Sequence, residues 1–348
     1  MMQKQWIIAG GAVVVVVGGY FGLCAYASKQ AQKKVEDYAY EHSLDESLSW
    51  ESVKSSPFGG HITLRGVEFS NPAVRDASLH VDSIELSDMI SEDSRTRVRV
   101  ELKGVAMSPA LLGAAQGFGR YTSLGQQAAA FGPLLGSGRR ELKPFDMSVY
   151  VDVDDGDGTA EAELSMDLPE LFAVKFNSSM GNLKDFNRTL RRMSDDVSGQ
   201  RDQNALMRYA MGSFAGEMQH SLGRAELKSA SLEFKDNGAV QRSVALQKRY
   251  GVALDPTAGD ADKQRDEYFE RVTRTFQKNC ETSLHDSAPK LVDACEIMVD
   301  VMNGKDKGIR LSAEPEDHLR MTDLDRLSAG GTASKRLVER LNAEVSSL

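Results

Sequence analysis

Six histidines, three cysteines and one acid-rich run hold most of the residues whose chemistry could carry a reaction or a metal. His61, His80, His220, His285 and His318 are scattered without the close pairing that metal ligation needs. His42 shares a helical stripe with Val35 and Ala39, where a packed or partly exposed histidine is the simpler reading. The run Asp154-Asp155-Gly156-Asp157-Gly158 invites comparison with a calcium loop. It lacks the alternate ligands, central glycine and distant bidentate glutamate of that loop. It lies between alternating arms, Met147, Val149, Val151 and Val153 on one side and Ala160, Ala162, Leu164, Met166 and Leu168 on the other. Asp-Gly pairs in that setting predict a hairpin turn. Arg188, Arg191 and Arg192 form a small basic cluster that reads as a solvated helix face. The chain has no HExxH, G-x-S-x-G, Walker A or dinucleotide fingerprint. No catalytic residue, cofactor or metal follows from these patterns, and an unrecognised hydrolase is a distant alternative.

The cysteines carry a different chemistry. Cys280 lies on a stripe with Phe269, Val272, Phe276 and Leu284, and Cys295 on one with Leu291, Met298 and Met302. Asp286, Ser287 and Pro289 read as a stop and a fresh start between two helices. Antiparallel packing would bring the thiols together, and a disulfide closing this loop would stabilise the fold by about 3 kcal/mol. Two buried free cysteines remain the alternative.

These candidates are positioned by a chain that opens on an apolar stretch, Trp6 to Ala27, with no charged residue. At about 1.5 Å per residue it spans roughly 30 Å as a helix. Its length favours a retained signal anchor over cleavage after Ala25-Tyr26-Ala27. A lipoprotein cut before Cys24 fits poorly, because Leu23 and Phe21 stand where small and branched residues belong. Lys29, Lys33 and Lys34 alone would keep the following domain in the cytoplasm; a Cys280–Cys295 disulfide would argue for export. Gly18 and Gly22 form a single GxxxG pair, too common in glycine-rich helices to assign a dimer.

The whole chain has 42 basic and 51 acidic residues. Residues 1–27 hold one basic and no acidic residue, which leaves 41 against 51 and a net charge of −10 outside the anchor. That balance excludes general nucleic-acid binding, which needs a basic face to neutralise phosphates.

The periodicity divides the chain into a transmembrane anchor at 1–27, a connector helix at 28–50, a β-rich region at 51–180 and a mainly helical region at 181–348. The class is α+β: an N-terminal transmembrane helix, a curved antiparallel sheet with bulged strands, and a largely helical C-terminal half. Ile62 and Leu64, Leu79 and Val81, Ile84 and Leu86, then Val98, Val100 and Leu102 alternate as half-buried strands do. Leu64-Arg65-Gly66-Val67-Glu68-Phe69-Ser70-Asn71-Pro72 is echoed by Leu102-Lys103-Gly104-Val105-Ala106-Met107-Ser108-Pro109. The alternation slips at each glycine, which predicts a bulge there. Met207, Met211, Phe214, Met218 and Leu222 line one face of a helix expected at 203–222. A strand is expected at 227–234. Helices follow at 239–250, 262–284 and 289–302, then a strand at 309–313 and a polar helix at 333–346.

Ala106 to Gly138 holds Arg120 as its only charged residue. Leu111, Leu112, Phe118, Tyr121, Phe131 and Leu134 are the candidate apolar contacts, either as a cover over a hydrophobic groove or membrane, or as a helix pair packed on the sheet.

The anchor, the Leu64–Pro72 block and a late block resemble single-pass bacterial inner-membrane proteins of the AsmA-like and YdgA-like kind. The late block is Leu227-Lys228-Ser229-Ala230-Ser231-Leu232-Glu233-Phe234-Lys235-Asp236-Asn237-Gly238, a helical stretch, then Ile309-Arg310-Leu311 and Glu314-Pro315. The resemblance implies a periplasmic domain of curved β-sheet that handles lipid in a hydrophobic groove. It brings no catalytic residue. The chain is short for such a family, which argues against a conduit crossing the periplasm. The expected function is therefore a non-enzymatic envelope protein held in the bilayer by residues 6–27, binding lipid or another apolar ligand. The alternative is a scaffold holding an envelope protein partner.

Overall fold

The alternating segments assemble into one antiparallel sheet that runs through most of the chain. The computed structural model describes residues 28–41, 47–56, 60–70, 76–92, 94–111, 137–139, 141–188, 220–327 and 331–348. The candidate anchor at 6–27 and residues 203–219 of the helix expected at 203–222 lie outside these residues. Among the described residues, no helix is long and apolar enough to cross a membrane.

The first half contributes α1 (Ser28–Glu41), β1 (Leu48–Ser49), β2 (Ser52–Ser55), β3 (Ile62–Ser70), β4 (Ser78–Glu92), β5 (Arg95–Met107), β6 (Phe145–Asp154), β7 (Thr159–Leu168) and β8 (Phe172–Gly181). The second contributes β9 (Glu226–Asp236), α2 (Ala239–Tyr250), α3 (Ala261–Ser287), α4 (Asp293–Met302), β10 (Gly308–Ala313), β11 (Leu319–Arg320), α5 (Gly331–Leu341) and β12 (Ala343–Ser347). Among the described residues the sheet has 12 strands in the order β1-β3-β4-β5-β6-β7-β8-β9-β10-β12, with β2 beside β3 and β11 beside β9.

Four expectations change. The connector helix stops at Glu41, short of residue 50, because Leu48 pairs with Phe69 and is buried as a strand residue. Leu79/Val81 and Ile84/Leu86 belong to one strand, β4, since from Leu79 to Leu86 its backbone pairs with both β3 and β5. The final polar helix ends at Leu341. Asn342, at φ 45°, closes it in the left-handed conformation and turns residues 343–347 into a strand against β10. The boundary at 180/181 cuts β8, whose Gly181 pairs with Glu226, so the later region extends the same sheet with β9, β10 and β12.

The slip at the glycines has a concerted origin. Inward positions run 64 to 67 in β3, 81 to 84 in β4 and 102 to 105 in β5, each skipping two residues. Leu64, Ile84 and Leu102 form one cross-strand row and Val67, Val81 and Val105 the next. All three strands make the step together, so their mutual register is unbroken, although β4 makes it with Asp82-Ser83 and no glycine. The mismatch surfaces at β6, where Lys103 and Gly104 face the single residue Asp146 and the register shifts. Gly66 (φ 58°) and Gly104 (φ 65°) are left-handed. A Cβ at Gly104 would strike the Asp82 carboxylate, while its N–H donates to Asp146 Oδ1 at 2.9 Å.

The main core lies on one sheet face. Val35 and Ala39 of α1 cover Leu48, Val53, Ile62 and their neighbours. At the β7–β8 turn, Leu168, Leu171, Phe172 and Ala239 continue it, with the Phe172 and Phe234 rings stacked at 5.6 Å. A second cluster, Leu227, Leu319 and Leu337, sits at the other end of β9.

Candidate apolar binding face

Strand geometry sends alternate side chains to opposite faces, so the pairing register fixes which residues lie together. Val149, Leu164, Phe176, Leu232, Leu311 and Val345 occupy one continuous row across β6, β7, β8, β9, β10 and β12. The flanking row on one side is Met147, Met166, Val174, Phe234 and Ile309. On the other it is Val151, Ala162, Ser178, Ala230, Ala313 and Ala343. None of these positions is charged. At about 4.8 Å between strands, the central row extends roughly 24 Å.

The opposite face is polar and internally paired. Ser148 Oγ meets Ser165 Oγ at 2.8 Å, Asn177 Nδ2 donates to Ser231 Oγ at 3.2 Å, and Arg310 pairs with Glu233 at 2.7 Å. Its best-buried member is Asp152. It accepts from Arg95 Nε at 3.0 Å, Arg95 Nη2 at 2.7 Å and Arg97 Nε at 2.9 Å. The hydrogen bond from Arg95 holds the Asp152 carboxyl below its ordinary range, and burial opposes this only in part. Arg99 stacks over the Tyr150 ring at 4.5 Å. These charges satisfy one another and hold the polar face.

The apolar face departs from ordinary core burial in its middle. Leu164 is 38%, Phe176 37% and Leu232 41% exposed. They are direct cross-strand neighbours, lying between the Phe172–Phe234 end of the main core and the Leu227–Leu337 cluster. Covering each would contribute on the order of 1 kcal/mol. This strip can hold an uncharged chain against apolar side chains. It offers no nucleophile, acid or base.

Other candidates resolve differently. The run at 154–158 is the turn between β6 and β7, with Asp157 N–H donating to Asp154 Oδ1 at 3.1 Å. His42 lies outside the described residues, and among these the histidines form no metal-binding group: His61 contacts Thr63, His80 contacts Asp82, His220 contacts Arg224 and His318 contacts Glu226. Arg188 pairs with Asp185 at 3.3 Å, while Arg191 and Arg192 lie outside the described residues. A cleft of about 600 Å³ between α2 and α3 is lined by Lys248, Arg249, Arg265, Asp262 and Asp266. Lys248 pairs with Asp266 and Arg265 with Asp262, which leaves it a charged seam. Cys280 on α3 and Cys295 on α4 are bonded, with Cα atoms 5.8 Å apart and Cys295 fully buried.

Of the apolar-contact candidates, Leu111 is half-buried just beyond β5, its N–H donating to Ser108 Oγ at 3.3 Å. Leu112, Phe118, Tyr121, Phe131 and Leu134 lie outside the described residues. Sequence reasoning missed Phe176 and Leu232 as surface residues. The period-two pattern of Phe172, Val174 and Phe176 was the available signal for β8.

No protein-family model matches this chain. No curated protein matches it significantly either.

Proposed function

We propose that this is a non-enzymatic, membrane-anchored protein of the bacterial envelope that binds a lipid or similar apolar ligand on its sheet. In this reading residues 6–27 hold it in the inner membrane as a single pass, and the sheet stands in the periplasm. The observation that carries the reading is the half-exposed row Leu164, Phe176 and Leu232, set in a face without charge. Water-exposed aromatic and aliphatic neighbours on three consecutive strands are stabilised by an apolar occupant and gain nothing from solvent. The bonded Cys280–Cys295 pair supports placement in an oxidising compartment. The same uncharged strip disfavours nucleic acid as a partner.

Native mass spectrometry of detergent-purified full chain, followed by extraction of bound lipid, tests the reading. Co-purified lipid that is lost in Phe176→Glu supports it. A stoichiometric protein partner without lipid replaces it with the scaffold reading.

A further inference from the structure

In the three central rows of the apolar face every side chain is hydrocarbon or thioether except Ser178. Alternate residues of a strand share a face, so β8 presents Phe172, Val174, Phe176 and Ser178 together. Ser178 is only 9% exposed, and among the described residues its hydroxyl has no hydrogen-bond partner. Asp152 and Thr273 are buried to a similar degree and are satisfied, the first by Arg95 and Arg97 and the second by the Phe269 carbonyl. A buried hydroxyl without a partner costs free energy that a bound acceptor recovers. Directly across from Ser178 stand Ala162 on β7 and Ala230 on β9, both half-buried. Side chains this short leave a notch beside the taller row Leu164, Phe176 and Leu232. Ala230 packs against the Leu227–Leu337 cluster, which closes one side. On the other, two residues and about 7 Å along β8, lies half-exposed Phe176.

We infer that Ser178 sets the specificity of the strip: its hydroxyl donates to the carbonyl oxygen of an acyl ester whose hydrocarbon chain lies over Phe176, Leu164 and Leu232. The inference rests on the ligand reading above and narrows it from any apolar molecule to one with an acceptor beside its chain. A pure hydrocarbon covers the hydroxyl and leaves it unpaired. A charged group placed there meets no counter-charge in the three rows. An ester carbonyl satisfies the donor and brings no charge onto the face.

Retention of radiolabelled probes by the detergent-solubilised full chain on gel filtration tests this. The probes are a long-chain methyl ester and the alkane of equal chain length. Counts retained by Phe176→Glu measure probe dissolved in the bound detergent and are subtracted. Wild type is expected to retain ester over alkane, and Ser178→Ala to lower that ratio about fivefold, the worth of one hydrogen bond, with alkane retention unchanged. Removing an unpaired hydroxyl leaves the thermal transition of the probe-free variant unchanged or slightly raised, which confirms that it folds. The same ester-to-alkane ratio in wild type and Ser178→Ala overturns the role of Ser178 while the strip stands. Equal loss of both probes from the variant assigns Ser178 to packing and overturns it as well. Retention of neither probe by wild type overturns the strip as a ligand site and this inference with it, so the two failures are told apart on wild type alone.

Discussion

Asp152 illustrates how a single carboxylate couples two strands on the polar face, accepting hydrogen bonds from both Arg95 and Arg97 while only 8% exposed. Its pKa is depressed in the folded protein, so the unfolded chain binds a proton more readily. The stability it supplies is therefore present above the unfolded value of about 3.9 and drains away as pH falls through the folded one. Asp152→Asn is expected to cost about 2 kcal/mol at neutral pH. Urea titrations at several pH values should also show that the variant loses less stability than wild type between about pH 5 and pH 3; parallel curves would remove Asp152 from the acid response. Gly104 is a second residue whose role is local. Gly104→Ala forces a left-handed alanine onto Asp82 and should cost roughly 2 kcal/mol, read from the urea midpoint. An unshifted midpoint would show that the step does not need glycine. The glycine slips were visible in sequence. Their shared row with Asp82-Ser83 was not, because β4 makes the same step without a marker residue.

At the scale of elements, strands with clean alternation and a strong turn were legible, as the β6–β7 hairpin illustrates. β12 was not. Its five residues follow a helix with no break except Asn342, and only the neighbouring β10 makes them a strand. The connector failed for a similar reason, since Leu48 fits a helical stripe equally well until β3 is there to pair with it. The long helix α3 has only Phe269 and Thr273 fully buried among its described residues. Its attachment to α4 therefore leans on the Cys280–Cys295 bond. Peptide mapping without reductant should recover the two cysteines in one linked species. Reduction should then increase hydrogen exchange in α3 and α4 before the sheet. Free thiols at both positions in protein isolated without reductant would reject the link.

At the scale of the molecule, the chain builds a two-faced sheet. One face holds itself together through paired charges, and the other carries no charge along its three central rows and, among the described residues, is half-exposed at Leu164, Phe176 and Leu232. The antiparallel sheet that carries the candidate site was legible in the sequence, because its strands alternate between apolar and polar residues. The location of the site was not. The apolar contacts were sought at 106–138, whereas the described half-exposed row comes from residues up to 68 positions apart in sequence, Leu164, Phe176 and Leu232, joined only by register. No periodicity within one segment reveals such a row. The most direct measurement compares wild-type full chain with Phe176→Glu by native mass spectrometry after identical purification. The account predicts a lipid-sized adduct on the wild type and its loss from a variant that still unfolds cooperatively. An adduct of equal abundance on both, or none on the wild type, would contradict it.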